Sequence, residues 1–175
     1  MFRFLVFLAA IGAIVFAVVS SDVFAARKAP LPAGARADLV VIEKDAHHLT
    51  LYAHGRKLRT YVVSLGTGGA EVKTRAGDDR TPEGHYEINR HEAASDFYRA
   101  IRISYPSAMD RKVARARGVA PGGAVTIHGL RNHTGWIGGW QRLVDWTDGS
   151  IALTDGEMDE VWRVVPDGTP VEIRR

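Results

Sequence analysis

The sequence predicts a mainly β domain, a sandwich or barrel of short strands carrying one or two helices. Three observations point there. Eight short runs of apolar or alternating residues recur along the chain, each closed by Gly, Pro or another turn former. Only two segments carry a helical spacing. Once an apolar N-terminal stretch is set aside, about 150 residues remain, enough for one domain with a real core.

The N-terminus does not read as part of that fold. Met1, Phe2 and Arg3 give a short positive start, and Phe4 to Ser20 is continuously apolar or small. Val23 and Ala25 place small residues where a signal peptidase reads them, so residues 1–25 are expected to be a signal peptide cleaved after Ala25. The alternative is an uncleaved membrane anchor, since the run approaches the lower length limit of a spanning helix. Residues 26–36, "ARKAPLPAGAR", read as a tether, and the folded domain is expected over 37–175. No internal repeat follows.

The β-like runs cover 38–46, 48–55, 57–66, 84–91, 100–106, 124–130, 150–154 and 170–174. His54-Gly55 between two of them suggests a hairpin turn. Ser107 to Arg117, "SAMDRKVARAR", follows a proline and stops at Gly118, as a helix with a glycine beyond its C-terminus does. A second helix opens on a capping box of Thr154 and Glu157. Its Met158, Val161, Trp162 and Val165 are spaced for one buried face, and Pro166 ends it.

Composition excludes several functions. The chain has no cysteine, although export would permit disulfides. That removes disulfides, thiolate metal sites, a lipid-modified N-terminal cysteine and a thiol nucleophile. A net charge of +3 suits an anionic wall or membrane surface better than nucleic acid. The basic run 111–117 reads as the wet face of a helix, because no aromatic platform interleaves it. The seven histidines include no H-E-x-x-H pair, and no metal site is expected. "SLGTGGAEVK" (64–73) lacks the order of a phosphate loop and reads as a flexible connection between strands.

Three features bear on chemistry. "GDDRTPEGHY" (77–86) holds a Thr-Pro-Glu-Gly turn, which either reverses the chain or aims Arg80 at a substrate carboxylate. His128 ends the run "AVTIHG" beside Gly129, either as a satisfied polar group or as a base. From His128 the chain leaves on a glycine-rich excursion and returns at Gly149-Ser150. If the flanking strands pair, His128 and Ser150 face one cleft, and a small nucleophile after glycine is how many acyl-transfer sites are built. The excursion carries Trp136, Trp140 and Trp146, as a satellite core or as a lid stacking on substrate.

"IHGL", then a loop, then "DWTDGSIALT", preceded by "GDDRTPEGHYEI" and "ISYPSAMDR", resembles the YkuD-type L,D-transpeptidase catalytic domain over roughly Ala37 to Arg175. The resemblance implies a β-sandwich of mixed sheets with a helix or two, and no cofactor. It implies an enzyme that crosslinks peptidoglycan stem peptides, or attaches proteins to them, through a cysteine thioester; some relatives act as carboxypeptidases or hydrolyse the links. By the same resemblance His128 is the general base and Gly129 the residue whose carbonyl orients it. Gly149 precedes the nucleophile, and its amide helps form the oxyanion hole. Ser150 stands where the family has its catalytic cysteine. Asp148 stands where many members have a second histidine, a "TDG" form that resembles a recognisable subgroup. Arg80 and Tyr105 match motif positions and, with Trp136, Trp146 and Asp148, are the candidate substrate contacts. The implied partners are stem peptides and an acceptor amine on a peptide or protein, met by a monomer.

A thiol with a pKa near 8.5 is readily made thiolate by a histidine, whereas a serine hydroxyl must lose its proton in concert with attack. Loss of a catalytic nucleophile can cost about 10⁶-fold, roughly 8 kcal/mol. Ser150 is therefore a working serine nucleophile, a degenerate replacement in a domain that still binds wall, or an introduced change. A third class, a glycan-acting enzyme using Asp148 as acid or base, stays open beside acyl transfer and wall binding.

Overall fold

The computed structural model describes residues 29–175, and the signal or anchor segment lies outside the described residues. Contacts divide the chain at Pro30, and Leu31–Arg175 forms one unit. Its elements are β1 (Leu39–Glu43), β2 (His48–Ala53), β3 (Arg56–Val62), β4 (Gly84–Glu92), β5 (Ala100–Ile103), α1 (Ala108–Ala116), β6 (Thr126–His128), β7 (Ile151–Ala152), α2 (Asp155–Val164) and β8 (Pro170–Arg174).

All eight strands join one mixed sheet in the order β3-β2-β1-β8-β4-β5-β6-β7. The pairs β1–β8 and β6–β7 are parallel. β2 and β3 form a hairpin through His54 and Gly55, whose φ of 50° and 73° give the turn that matches strand twist. β4 turns the sheet. Gly84 to Glu87 pair with β8, the residues from Ile88 onward pair with β5, and the register slips between Ile88 and Arg90. Such a bulge bends a strand and sharpens its twist.

The bend brings the two ends of the sheet together. Beyond β3, Ser64 and Ala152 exchange backbone hydrogen bonds of 3.1 and 2.8 Å. Thr67 N–H donates to Thr147 O at 2.9 Å, and Thr147 N–H donates to Leu65 O at 3.1 Å. The sheet is thus stitched into a curl, and β7 is paired on both sides.

Inside lie Val40, Ile42, Leu49, Leu51, Ile88, Ile101, Ile103, Ile127, Ile151 and Leu153. α2 adds Met158, Val161 and Val164 from one face, behind a capping box of Thr154 and Glu157. α1 is capped by Ser107 and Asp110 and buries only Ala114, so its arginines and Lys112 are solvated as expected.

Two expectations need correction. From Leu31 onward the tether is docked. Leu31 is buried, its N–H donates to Glu160 Oε1 at 2.7 Å, and Arg163 donates to the Leu31 and Pro32 carbonyls at 3.0 Å each. Nor is the glycine-rich 64–73 segment a loose connection. A Cβ at Gly66 would collide with Asp79 O, and one at Gly68 with Asp78 O, so glycine lets this segment lie flat on the 77–80 turn. That turn is itself anchored. Glu83 of the Thr-Pro-Glu-Gly sequence meets Lys44 Nζ at 2.9 Å, and Lys44 is 1% exposed.

Candidate active site

β6 and β7 set the geometry. Ile127 pairs with Ile151 and His128 with Ala152, so Ser150 stands opposite Thr126. Side chains alternate across a sheet, so the two isoleucines enter the core while Thr126, His128 and Ser150 share the other face. His128 and Ser150 are two positions apart, about 6–7 Å along the strand direction.

Ser150 is half-buried. Its Oγ accepts the Thr126 N–H at 3.2 Å, and Thr126 Oγ1 donates to it at 3.4 Å. Its own hydroxyl proton is committed to neither bond. The preceding turn is held by Thr147, whose Oγ1 donates to Ser150 O at 2.7 Å and accepts the Gly149 N–H at 3.2 Å. Gly149 has φ +115°, and a Cβ there would lie 2.5 Å from Arg80 O. Both the conformation and the close approach demand glycine.

His128 is 2% exposed. Its Nδ1 lies 2.7 Å from Gly129 O. A carbonyl only accepts, so Nδ1 carries the proton and Nε2 is left as the basic nitrogen. Burial pushes the imidazole down to about 4, against the opposing pull of the Gly129 carbonyl. The ring is therefore neutral at pH 7. Phe97 lies over it, with centroids 4.1 Å apart and planes tilted by 34°. Trp146 meets it edge-on at 5.6 Å. Trp146 in turn donates from Nε1 to Gln141 Oε1 at 2.9 Å. Gln141 is buried; its carbonyl accepts from Ser64 Oγ at 2.7 Å, and its Nε2 donates to Ala152 O at 3.4 Å. The returning end of the excursion is thus fixed to β7.

The other predicted residues scatter. Arg80 donates from Nε to Gly68 O at 3.2 Å and from Nη1 to Val72 O at 3.4 Å, holding the glycine-rich segment. Tyr105 is 6% exposed and donates to Pro121 O at 2.6 Å, with its ring against Tyr86. Asp148 is exposed beside Gly149. Trp136 is 84% exposed on a 3-10 segment, Gly135–Leu143, that kinks at Gly138. The structure therefore joins His128, Gly129, Gly149, Ser150 and Trp146, and leaves Tyr105 in the core.

Phe97, Thr126, Thr147 and Gln141 were not among the predicted residues. Thr126 sits two positions before His128 on the same strand, and that alternation is a signal within reach of the sequence. Phe97 lies in a polar stretch with no periodicity and reaches His128 only through the fold.

These features define a β domain in which a buried neutral histidine stands beside a serine carried on a glycine turn. The sequence profile of YkuD, the L,D-transpeptidase catalytic domain, matches residues 37–173, and the chain belongs to this family. A stretch of 78 residues is 35% identical to the putative L,D-transpeptidase YafK of Escherichia coli K12. It covers 41% of this chain and 32% of YafK, so the match spans about a third of that relative's length. The fold is similar to that of the helical cell shape determining protein Pgp2 from Campylobacter jejuni, with TM-score 0.62 and 24% identity over 81% of this chain and 49% of Pgp2. It is also similar to an L,D-transpeptidase from Xylanimonas cellulosilytica, with TM-score 0.53 and 19% identity over 83% of this chain and 64% of that one.

Proposed function

We propose that this chain is an exported enzyme of the cell envelope that carries out acyl transfer on peptidoglycan stem peptides, with residue 150 as nucleophile and His128 as base. The observation that carries the reading is the shared face of β6 and β7, where Ser150 and a Nδ1-protonated His128 stand two positions apart. In the step proposed, His128 Nε2 takes the proton as the residue-150 heteroatom attacks a stem-peptide carbonyl. The proton then passes to the leaving amine, and an acceptor amine or water releases the acyl group. Trp146 packs on His128 and the Arg80 backbone lies against Gly149, while Trp136 and Asp148 are the exposed candidates for substrate contact.

Two observations favour a second reading, a wall-binding domain with weakened chemistry. Ser150 Oγ is bonded to Thr126, and the Gly149 amide is turned to Thr147 rather than outward as an oxyanion donor. A base near pKa 4 also drives an alcohol far less than a thiol.

Ser150→Cys separates the two. The wild type and this variant are incubated with a carbapenem and with purified peptidoglycan, and read by mass spectrometry. A stoichiometric adduct on the variant alone assigns an intact site with a degenerate nucleophile. Equal turnover by both makes serine the working nucleophile. Reaction by neither rejects acyl transfer.

A further inference from the structure

The peptide unit between Gly129 and Leu130 is used on both sides. Its carbonyl accepts from His128 Nδ1 at 2.7 Å. Its N–H donates to Asp155 Oδ1 at 2.8 Å. A carboxylate, one peptide group and the imidazole thus form a single hydrogen-bonded chain. We infer that Asp155 is a positioning residue for His128, acting through this peptide as the aspartate of a serine–histidine–aspartate triad acts by direct contact. The inference rests on His128 being the base of the site.

Three observations support it. First, two glycines approach the half-buried carboxylate closely. A Cβ on Gly129 would stand 2.8 Å from Asp155 Oδ1 and 2.5 Å from Tyr98 O, and a Cβ on Gly135 would collide with Asp155 Oδ2. Glycine at both positions lets the carboxylate reach the hinge beside His128 and the start of the excursion at once. Second, the peptide units on both sides of Gly129 are tied: its own N–H, in the unit shared with His128, donates to Tyr98 O at 2.9 Å, and the Leu130 N–H holds the next unit to Asp155. The Gly129 carbonyl therefore presents one fixed direction to the imidazole, and one tautomer follows. Third, a peptide whose N–H meets a carboxylate is polarised, and its carbonyl becomes a stronger acceptor. That favours a protonated Nδ1 and supports the positive charge that builds on the ring when Nε2 takes a proton.

The surrounding charges leave this role to Asp155. Burial raises the Asp155 carboxyl, the Leu130 N–H lowers it, and Asp159, one turn along α2, adds a smaller upward push. Asp159 is itself occupied by Arg99 at 3.1 Å and by the Tyr98 hydroxyl at 2.9 Å. Against His128 stand the uncharged rings of Phe97 and Trp146, with the Arg131 guanidinium on Phe97. Asp155 also opens α2, where any acidic residue favours the helix N-terminus. A purely helical role would affect stability and leave the imidazole unchanged.

Nuclear magnetic resonance of the full chain distinguishes the two. In the wild type at neutral pH the His128 ring nitrogens should report a single Nδ1–H tautomer. On acidification the Leu130 amide proton and the His128 Nδ1 proton should move together with the Asp155 carboxyl carbon. Asp155→Asn keeps an acceptor and removes the charge, and should shift the Nδ1 proton upfield. Asp155→Ala should bring in the second tautomer. In a Ser150→Cys background, Asp155→Asn should slow carbapenem acylation about 3- to 10-fold without weakening initial binding. Unchanged His128 spectra in folded Asp155→Asn protein would overturn the inference. So would a wild-type Nδ1 proton that ignores the Asp155 titration, a result that needs no variant. The spectra require no turnover, so failure of residue 150 to acylate would count against acyl transfer and not against the relay.

Discussion

A histidine buried in neutral form couples the site to stability. His128 ordinarily titrates near 6.5 and is held down to about 4 in the fold. Between those values the unfolded chain binds a proton that the folded chain refuses, so stability is lost as pH falls from about 6.5 towards 4 and regained as it rises. The full difference is roughly 3 kcal/mol at 1.36 kcal/mol per unit. Urea midpoints at pH 4.5 and 7 should therefore diverge in the wild type and diverge less in His128→Gln. An equal divergence in the variant would place the acid sensitivity elsewhere. At this scale the site is partly legible in the sequence. The "IHG" and "TDGS" strings carry His128, Gly129, Gly149 and Ser150, and β6–β7 pairing sets the two strings side by side. Thr147 and the Gly129 carbonyl bond their own neighbours in the chain, whereas the Thr126 bond to Ser150 spans 24 residues and comes only from tertiary proximity.

The elements were more legible than the residues. Every predicted run overlaps an observed strand, because period-2 alternation and turn residues are local signals. Both helices begin at the side chains that cap them. What was hidden is what docks on an element. Leu31 carries no periodic context, yet it packs on α2. Leu31→Ala should lower stability by about 2 kcal/mol, the usual cost of emptying a buried leucine site, and a chain beginning at Ala37 should lose at least as much. Thermal melts of both against the chain beginning at Leu31 test this, and equal melting temperatures would return 31–36 to the status of a tether. The excursion makes a different demand. A ring as exposed as Trp136 gains little in the unliganded fold. Trp136→Phe should melt with the wild type and should lose most of the fluorescence change that muropeptides produce. A full response in the variant would put the substrate contact on Trp140 or Trp146.

The whole molecule depends on a few long-range ties that no local pattern announces. Lys44 is fully buried at the end of β1, and its ammonium joins Glu83 at 2.9 Å and Glu71 O at 3.0 Å. The two residues lie 39 positions apart, and no local pattern pairs them. Glu83→Gln should destabilise by about 3–5 kcal/mol, because it strands a buried ammonium. Replacing Lys44 by Met and Glu83 by Leu together should recover much of that loss. Denaturant unfolding of the two variants gives the comparison, and a single variant as stable as the wild type would show the pair to be dispensable.

The curl also has a temporal side. Its ends meet where Ser64 grips Ala152, two residues beyond Ser150, so Ser150 sits at the clasp of a bracelet. Nothing can loosen that clasp without unfastening both edges of the sheet. The amides of Ser64 and Ala152 should therefore exchange with solvent only on complete unfolding, and the turn that carries Ser150 should be among the last parts of the chain to lose its shape.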